Sequence, residues 1–421
     1  MNRINFEQSE LLRFIAAGSV DDGKSTLIGR LLHDSKAIFE DQLSAVERTT
    51  RRRGLHGLDL SLLTDGLQAE REQGITIDVA YRYFATLKRK FIIADAPGHE
   101  QYTRNMVTGA STANLAVVLI DARKGVVTQS CRHAYLASLL GIPHVVLAVN
   151  KMDLVDYSQS VFESIGKQFN QFAAGLNFRD IICIPISALK GDMVVERGGN
   201  LPWYQGPALL ELLENIKIDH DLNLDDFRFP VQWVCRPGTP EHHDFRGYSG
   251  RIESGIVAVG EPITVLPSGR SSIIKRILTF DGELERAFAP QSVTLLLEDD
   301  IDVTRGDMIV KSSHNARVVK EYDADICWFS DRPLDVRRKY LIKHTTKTAK
   351  ALIQRIDYRV DVNTLRLIDG VSELCMNDIG RVGVKAQQSL AVDSYFRNRA
   401  TGSFIVIDEA TNNTVAAGMI V

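Results

Sequence analysis

Apolar and polar positions alternate with two different periods in the first half of this chain, which is typical of strands and helices that follow one another. The predicted strands are 11–17, 91–94, 116–121, 144–150 and 181–186, and the predicted helices are 26–33, 128–140, 158–172 and one that begins at Pro207. A chain that alternates in this way forms a mainly parallel sheet with helices on both faces. We therefore predict an α/β domain over residues 1–222.

The pattern changes after an acidic linker at 219–226, where short alternating runs separated by turn residues begin. Such runs are typical of barrels and sandwiches. The clearest runs are 229–235, 250–255 and 261–269, and the glycines expected in tight turns are Gly250, Gly255 and Gly260. A break at 312–317 divides this part into 227–314 and 318–421, and each piece is long enough for a small closed barrel. We predict two β-barrel domains.

Composition changes this picture little, since the 421 residues are 44% hydrophobic and 24% charged, as in ordinary globular proteins. No apolar run approaches the length of about 20 residues that a membrane helix needs, and the first residues lack the features of a signal peptide. Five scattered cysteines without C-x-x-C spacing indicate reduced thiols and a cytoplasmic protein. A net charge of −3 argues against broad nucleic-acid binding, which depends on a basic surface.

Residues 18–26 form a complete G-x-x-x-x-G-K-[ST] motif between a predicted strand and a predicted helix. Its glycines let the backbone curl so that N–H groups point at phosphate oxygens, and the helix adds its positive end. We expect Lys24 to reach the β- and γ-phosphates and Ser25 to place its hydroxyl on Mg²⁺. The role of Asp21 stays open: its carboxylate either holds a monovalent cation or water near the phosphates, or caps the turn. The predicted phosphate-binding residues are Gly18, Ser19, Val20, Asp21, Asp22, Gly23, Lys24, Ser25 and Thr26.

Two further segments point to guanine as the base. The run Asn150, Lys151, Met152 and Asp153 follows a predicted strand, at the sheet edge where α/β proteins bind ligands. A carboxylate at Asp153 accepts hydrogen bonds from the N1–H and 2-amino group of guanine, and such a site rejects the wrong base by about 10⁴–10⁵. The run Ser187, Ala188 and Leu189 is expected to donate a backbone N–H to the guanine oxygen. We therefore predict GTP rather than ATP.

A third segment is predicted to sense the γ-phosphate. It consists of Asp95, Ala96, Pro97, Gly98 and His99, which follow the predicted strand 91–94. We expect Asp95 to hold the Mg²⁺ water shell, Gly98 to offer its N–H to the γ-phosphate, and His99 to orient the attacking water. Upstream, Thr76 is expected to join Ser25 on the metal, in a switch that GTP orders. The predicted catalytic residues are His99, Lys24 and Thr76, and the predicted metal ligands are Ser25, Thr76 and Asp95.

The chain resembles the translation-factor class of GTPases. The segments that carry the resemblance are 18–26, 65–78, 95–100 and the run that begins at Asn150. Within that class the chain is most similar to the large, GTPase subunits of bacterial sulfate adenylyltransferases. Ser19 and Asp22 stand where elongation factors usually carry histidine, and residues 63–84 and 398–404 also match the sulfate branch. The resemblance covers essentially the whole chain.

The resemblance implies a GTPase domain followed by two β-barrels, with GTP and Mg²⁺ as ligands. It also implies a partner small subunit that joins ATP and sulfate into adenosine 5′-phosphosulfate and pyrophosphate, an uphill step that GTP hydrolysis drives. We expect the switch at 35–77 or the barrels to contact that partner. Two alternatives stay open: an elongation-factor-like GTPase that binds aminoacyl-tRNA, and a regulatory GTPase without a metabolic partner.

Overall fold

The computed structural model describes residues 11–36, 60, 78–99, 102–218, 223–237, 245–314, 316–362 and 364–421. The chain divides into two compact units, Met1–Asp219 with Val362–Thr364 and His220–Asp361 with Leu365–Val421. Among the described residues, no helix is long and apolar enough to cross a membrane.

The first unit contains a six-stranded sheet with helices between its strands. The strands are β1 (Leu11–Gly18), β2 (Ala80–Ala85), β3 (Lys90–Asp95), β4 (Leu115–Asp121), β5 (His144–Asn150) and β6 (Asp180–Pro185). The helices are α1 (Lys24–Asp34), α2 (Thr103–Ala110), α3 (Thr128–Leu139), α4 (Gln159–Ala173) and α5 (Leu209–Asn215), with a 3₁₀ helix at Met152–Val155. The predicted alternation is confirmed: the ends of the predicted elements differ by at most two residues, and β2 and α2 were not predicted.

The strand order is β2-β3-β1-β4-β5-β6, and only β2 runs antiparallel to its neighbour. Strands β4 and β5 are buried at every position, as expected for central parallel strands covered on both faces. Because β1, β3, β4, β5 and β6 are parallel, their carboxyl ends meet at one edge of the sheet. That edge carries the segments that the sequence singles out.

The second unit begins with a barrel of short strands. These are β7 (Arg228–Pro230), β8 (Trp233–Cys235), β9 (Gly247–Arg251), β10 (Ile256–Ala258), β11 (Pro262–Leu266), β12 (Arg270–Thr279), β13 (Gly282–Leu284), β14 (Arg286–Phe288), β15 (Ser292–Leu297) and β16 (Met308–Lys311). The main path is β7-β16-β11-β12-β15-β9-β8. Since β8 follows β7 after two residues, the two ends of this path are the same stretch of chain and the ring closes.

A second barrel completes the unit. Its strands are β17 (Arg317–Trp328), β18 (Lys339–His344), β19 (Lys347–Asp361), β20 (Arg366–Asp369), β21 (Ile379–Val392), β22 (Ser403–Ile407) and β23 (Thr414–Ile420). The path β18-β22-β23-β17-β21-β19 returns to β18, which pairs with β19, so this ring closes as well. Its interior is apolar and includes the fully buried Trp328. The predicted succession of an α/β domain and β-barrels is confirmed.

Two details of the first barrel differ from the sequence prediction. The run expected as one strand at 229–235 is split into β7 and β8, because the chain bends there to pair with different neighbours. Gly250 lies within β9 and not in a turn: a Cβ there would stand 2.5 Å from the carbonyl oxygen of Pro230, so glycine permits a close approach of two backbones. Gly255 has a φ of +77°, in keeping with the expected turn.

Two arginine–aspartate pairs, one of them fully buried, join the two barrels within this unit. The Arg228 guanidinium, 1% exposed, donates to both carboxylate oxygens of Asp393 at 2.8 and 2.9 Å. Arg397 in turn donates to both oxygens of Asp226, at 2.7 and 2.8 Å. Bidentate arginine–carboxylate pairs fix direction as well as distance, so the two barrels are held in one arrangement.

Candidate functional site

The phosphate loop, residues 18–26, leaves β1 at the carboxyl edge of the sheet and runs directly into α1. Gly23 caps the helix with a left-handed φ of +92°, and Asp21 also adopts a left-handed φ of 68°. The Asp22 carboxylate folds back and accepts from the Ser19 N–H at 2.7 Å. Burial raises the pKa of Asp22, and the hydrogen bond from Ser19 offsets part of that rise. Backbone curvature of this kind leaves N–H groups facing inward, as phosphate binding requires.

The segment after β3 packs against the phosphate loop. A Cβ added to Gly98 would stand 2.5 Å from the carbonyl oxygen of Gly18, so only glycine allows this approach. The Lys24 ammonium lies 3.4 Å from Oδ1 of Asp95, and both side chains are buried. Ala96 and Pro97 are buried beside them, whereas His99 is exposed and its ring lies 6.1 Å from that of Tyr102. The structure therefore brings Asp95, Gly98 and Lys24 together and places His99 at the open end of this segment.

The base end of the site is built from β5 and the loop after β6. We call residues 187–189 the base loop. Ser187 donates to Oδ1 of Asp153 at 2.7 Å, and the Ala188 N–H donates to Oδ1 of Asn150 at 2.9 Å. Met152 is fully buried and its N–H donates to the Ile186 carbonyl at 3.2 Å. The side chains predicted to read guanine are thus held in place by the loop predicted to assist them.

Asn150 also connects the two ends of the site. Its amide nitrogen donates to the Asp22 carbonyl at 2.8 Å, while its amide oxygen holds the Ala188 N–H. Asn150 is 2% exposed, so these bonds form away from water, where they are strongest. The phosphate loop and the base loop therefore share one buried amide.

Lys151 makes a second connection, through its ammonium group. This group donates to the Asp21 carbonyl and lies 3.1 Å from Oδ2 of Asp121, at the end of β4. Burial acts to raise the pKa of Asp121, but hydrogen bonds from Arg123 and Lys151 outweigh it and hold that pKa well below its usual range. Asp121 therefore stays ionised and anchors Lys151 beside the phosphate loop.

Three residues of this region were missed by the sequence analysis. Asp121 stands at the end of a buried strand, at the same edge as Asp95 and Asn150, and that position was a signal that could have found it. His133 on α3 is fully buried, and burial together with the nearby positive charge of Lys24 lowers its pKa to about 3. Arg30 on α1 donates to the base loop, and no sequence pattern signals that contact.

Thr76 and most of the predicted switch at 35–77 lie outside the described residues, and their predicted roles stay predictions. Ser25 and Thr26 lie in the first turn of α1, both partly exposed, at the head of the phosphate loop. Within the described ranges, no group of three or more His, Cys, Asp or Glu residues is arranged to hold a metal by itself.

Comparison with known proteins identifies the family. Residues 9–219 match the model described as the elongation factor Tu GTP binding domain, and residues 321–421 match a GTP-eEF1A C-terminal domain-like model. Sulfate adenylyltransferase subunit 1 of Alteromonas mediterranea is 56% identical over 417 residues, which cover 99% of this chain and 88% of that protein. The chain belongs to the sulfate adenylyltransferase subunit 1 family.

Further members of the sulfate adenylyltransferase subunit 1 family agree. The protein of that name from Bacteroides fragilis is 55% identical over 417 residues, covering 99% of this chain and 87% of its own. The bifunctional enzyme CysN/CysC of Mycobacterium tuberculosis is 56% identical over 411 residues, covering 97% of this chain and 67% of its own. A solved structure of sup35 complexed with GDP aligns at 21% identity, with coverages of 100% and 97% and a TM-score of 0.45, which adds nothing to the assignment. The resemblance inferred from the motifs is confirmed.

Proposed function

We propose that this chain is the GTP-hydrolysing subunit of a sulfate adenylyltransferase. Hydrolysis of GTP here drives a partner small subunit to form adenosine 5′-phosphosulfate and pyrophosphate from ATP and sulfate. The observation that carries the proposal is the identity of 56% over nearly the full chain with a protein named sulfate adenylyltransferase subunit 1. The adjacent phosphate loop and base loop support it, because together they suit a guanine nucleotide.

The base end selects guanine through Asp153. Ser187 occupies one carboxylate oxygen of Asp153, and the remaining acceptor capacity suits the N1–H and 2-amino group of the base. Adenine has no donor at those two positions, so its binding would leave the carboxylate without partners, which is costly. A backbone N–H of the base loop, that of Leu189, completes recognition at the guanine oxygen.

The phosphate end fits Mg²⁺, which prefers oxygen ligands and phosphate oxygens. The Ser25 hydroxyl and the Asp95 carboxylate are hard donors, and Asp95 is 2% exposed and faces the phosphate-loop Lys24. These two residues, with Thr76, would hold the ion. When bound, Mg²⁺ neutralises charge that develops on the phosphates.

The protein's own groups would supply positioning and charge. The phosphate-loop N–H groups and Lys24 hold the β- and γ-phosphates, and the Gly98 N–H fixes the γ-phosphate from the other side. His99 is placed at the solvent side of that segment, where it would orient the attacking water. Because hydrolysis removes the γ-phosphate, the segment after β3 loses its contact with that group. A partner that binds this segment can thereby distinguish the GTP state from the GDP state.

Coupling to sulfate activation requires that the partner's reacting complex bind the GTP and GDP states with different affinities. We propose that the chain consists of the domains 1–222, 227–314 and 318–421, and that the partner small subunit contacts the switch or the barrels. This contact would make the partner's affinity depend on the bound nucleotide. Nucleic acid has no part in the proposal, in keeping with the net charge of −3.

The test measures GTP turnover by the full chain, with and without a co-expressed small subunit, in the presence of ATP and sulfate. We expect turnover to rise only when the small subunit and both substrates are present, and adenosine 5′-phosphosulfate to accumulate in parallel. Lys24→Ala should abolish both signals. Stimulation by ribosomes or aminoacyl-tRNA, with none by the small subunit, would overturn the proposal in favour of a translational GTPase.

A further inference from the structure

Arg30 reaches from the phosphate helix to the base loop. It lies on α1, nearly two turns after Lys24, and its Nε donates to the Ala188 carbonyl at 3.1 Å while its Nη2 donates to the Leu189 carbonyl at 2.6 Å. Its Nη1 lies 3.6 Å from Oδ1 of Asp34, one turn further along the same helix. Asp34 thus orients the Arg30 guanidinium, whose Nε and Nη2 donate to two successive backbone carbonyls.

These contacts fix the orientation of a peptide group in the base loop. A trans peptide points its C=O and N–H in opposite directions. Because the Ala188 carbonyl is turned toward Arg30, the N–H of Leu189 is turned away from it. On the preceding peptide, the Ala188 N–H is held by Asn150. The base loop is therefore fixed from two sides, by Asn150 at its buried side and by Arg30 at its outer side.

Stability of the fold accounts for only one half of this arrangement. Ala188 is 1% exposed, so its carbonyl needs a partner within the protein, whereas Leu189 is 62% exposed. Water would satisfy the Leu189 carbonyl at little cost, and immobilising an arginine side chain on it costs rotamer entropy. The gain lies in a defined position for the loop. Loops that must present N–H groups to a ligand benefit from this kind of pre-organisation.

We propose that Arg30 is a positioning residue for guanine recognition, acting on the contact between the base loop and O6 of the base. The inference rests on the proposed function, since it assumes that guanine nucleotides bind at this site. Guanine carries an acceptor at position 6, which the fixed Leu189 N–H would bind, since the N–H groups of Ser187 and Ala188 already donate to Asp192 and Asn150. Adenine carries an amino donor there, which the same fixed N–H repels, so a rigid base loop adds to the rejection of adenine.

The test compares three nucleotides that change position 6 and position 2 of the purine one at a time. GDP is the reference, 6-thio-GDP replaces O6 with the weaker acceptor sulfur, and IDP keeps O6 but lacks the 2-amino group that faces Asp153. Dissociation constants are measured by calorimetry on the full chain. Arg30→Met should weaken GDP and IDP by about 5- to 30-fold, the loss of one well-placed hydrogen bond, and 6-thio-GDP by less than about threefold.

Two further variants make the result specific. Arg30→Lys keeps the charge and can still donate to one carbonyl, so it should lie between the wild type and Arg30→Met. Arg89→Met is the matched control, because Arg89 also donates to two carbonyls, of Leu213 and Ile216 at 2.9 and 2.7 Å, but at the amino end of β3. The control should leave the ratio of GDP to 6-thio-GDP affinity unchanged.

The outcomes are distinct. A wild-type chain that binds ADP as well as GDP refutes the proposed function itself. A wild-type chain that prefers GDP, with an Arg30→Met variant that weakens all three nucleotides equally or none of them, refutes only the role of Arg30. A selective loss of the GDP preference over 6-thio-GDP in Arg30→Met supports it.

Discussion

Exchanging Asp153 for asparagine should convert the base preference of the site from guanine to xanthine. The substitution is nearly isosteric and replaces one carboxylate oxygen with an amide NH₂. Ser187 donates to Oδ1 of Asp153 at 2.7 Å, and Lys190 donates its N–H to the same hydroxyl at 3.2 Å. A hydroxyl oriented in this way favours an amide oxygen as its acceptor, so the new NH₂ group is turned toward the base.

The magnitude follows from the hydrogen bonds that change. Guanine loses one charge-assisted bond worth about 1.5–3 kcal/mol, the other bond becomes a weaker neutral one, and a base donor that faces the new amide donor costs about 1–3 kcal/mol more. The loss of about 3–6 kcal/mol corresponds to GDP binding about 10²–10⁴-fold more weakly. Xanthine carries a carbonyl at position 2, which accepts from the amide, so the nucleotide XDP should regain most of that affinity.

The measurement is a pair of titrations, with GDP and XDP, on the wild type and on Asp153→Asn. The double variant with Ser187→Ala is the control, because without the hydroxyl the amide is free to turn and the preference for XDP should shrink. If Asp153→Asn binds GDP within threefold of the wild type, Asp153 does not read the base. If the double variant prefers XDP as strongly as the single one, Ser187 does not orient the amide.

Three other substitutions follow from the structure. His99→Ala should leave GDP affinity unchanged and slow GTP hydrolysis at least tenfold, because orienting water matters only in the transition state; single-turnover assays decide, and equal rates would exclude the role. Arg228→Met should lower the free energy of unfolding by about 3–5 kcal/mol, since it leaves the buried Asp393 carboxylate without its charged partner. The control Arg276→Met, in an exposed pair, should leave urea unfolding unchanged. His133 should destabilise the fold on acidification: the unfolded imidazole gains its proton near pH 6.5 and the folded one only near its pKa of about 3. Between those values the folded state becomes less stable as the pH is lowered, so His133→Leu should reduce this loss by about 2 kcal/mol at pH 5 in unfolding titrations. Parallel curves for the two proteins would contradict the assignment.

Elements with strong periodicity could be predicted from the sequence. Strand β5 is buried at all seven positions and its limits, His144–Asn150, are those of the apolar run. The place of the site segments at the carboxyl edge of the sheet was also predictable, because each follows a strand, whereas the roles of their side chains stay predictions. A short motif constrains both its backbone and its ligand, so a match carries information about both.

Contacts made through backbone carbonyls could not be predicted in this way. Arg30 is 158 positions from Ala188, and any residue type would offer the same carbonyl to it. The split between β7 and β8 was missed for a related reason, since it depends on which neighbours the chain pairs with rather than on its own pattern. Such features are properties of the assembled fold.

The amide shared by the two loops has a consequence for how a nucleotide leaves. Asn150 holds the Asp22 carbonyl with one end of its side chain and the Ala188 N–H with the other. Displacing either loop would therefore loosen the contacts to the base and to the phosphates together. Nucleotide release could then begin at either end of the site.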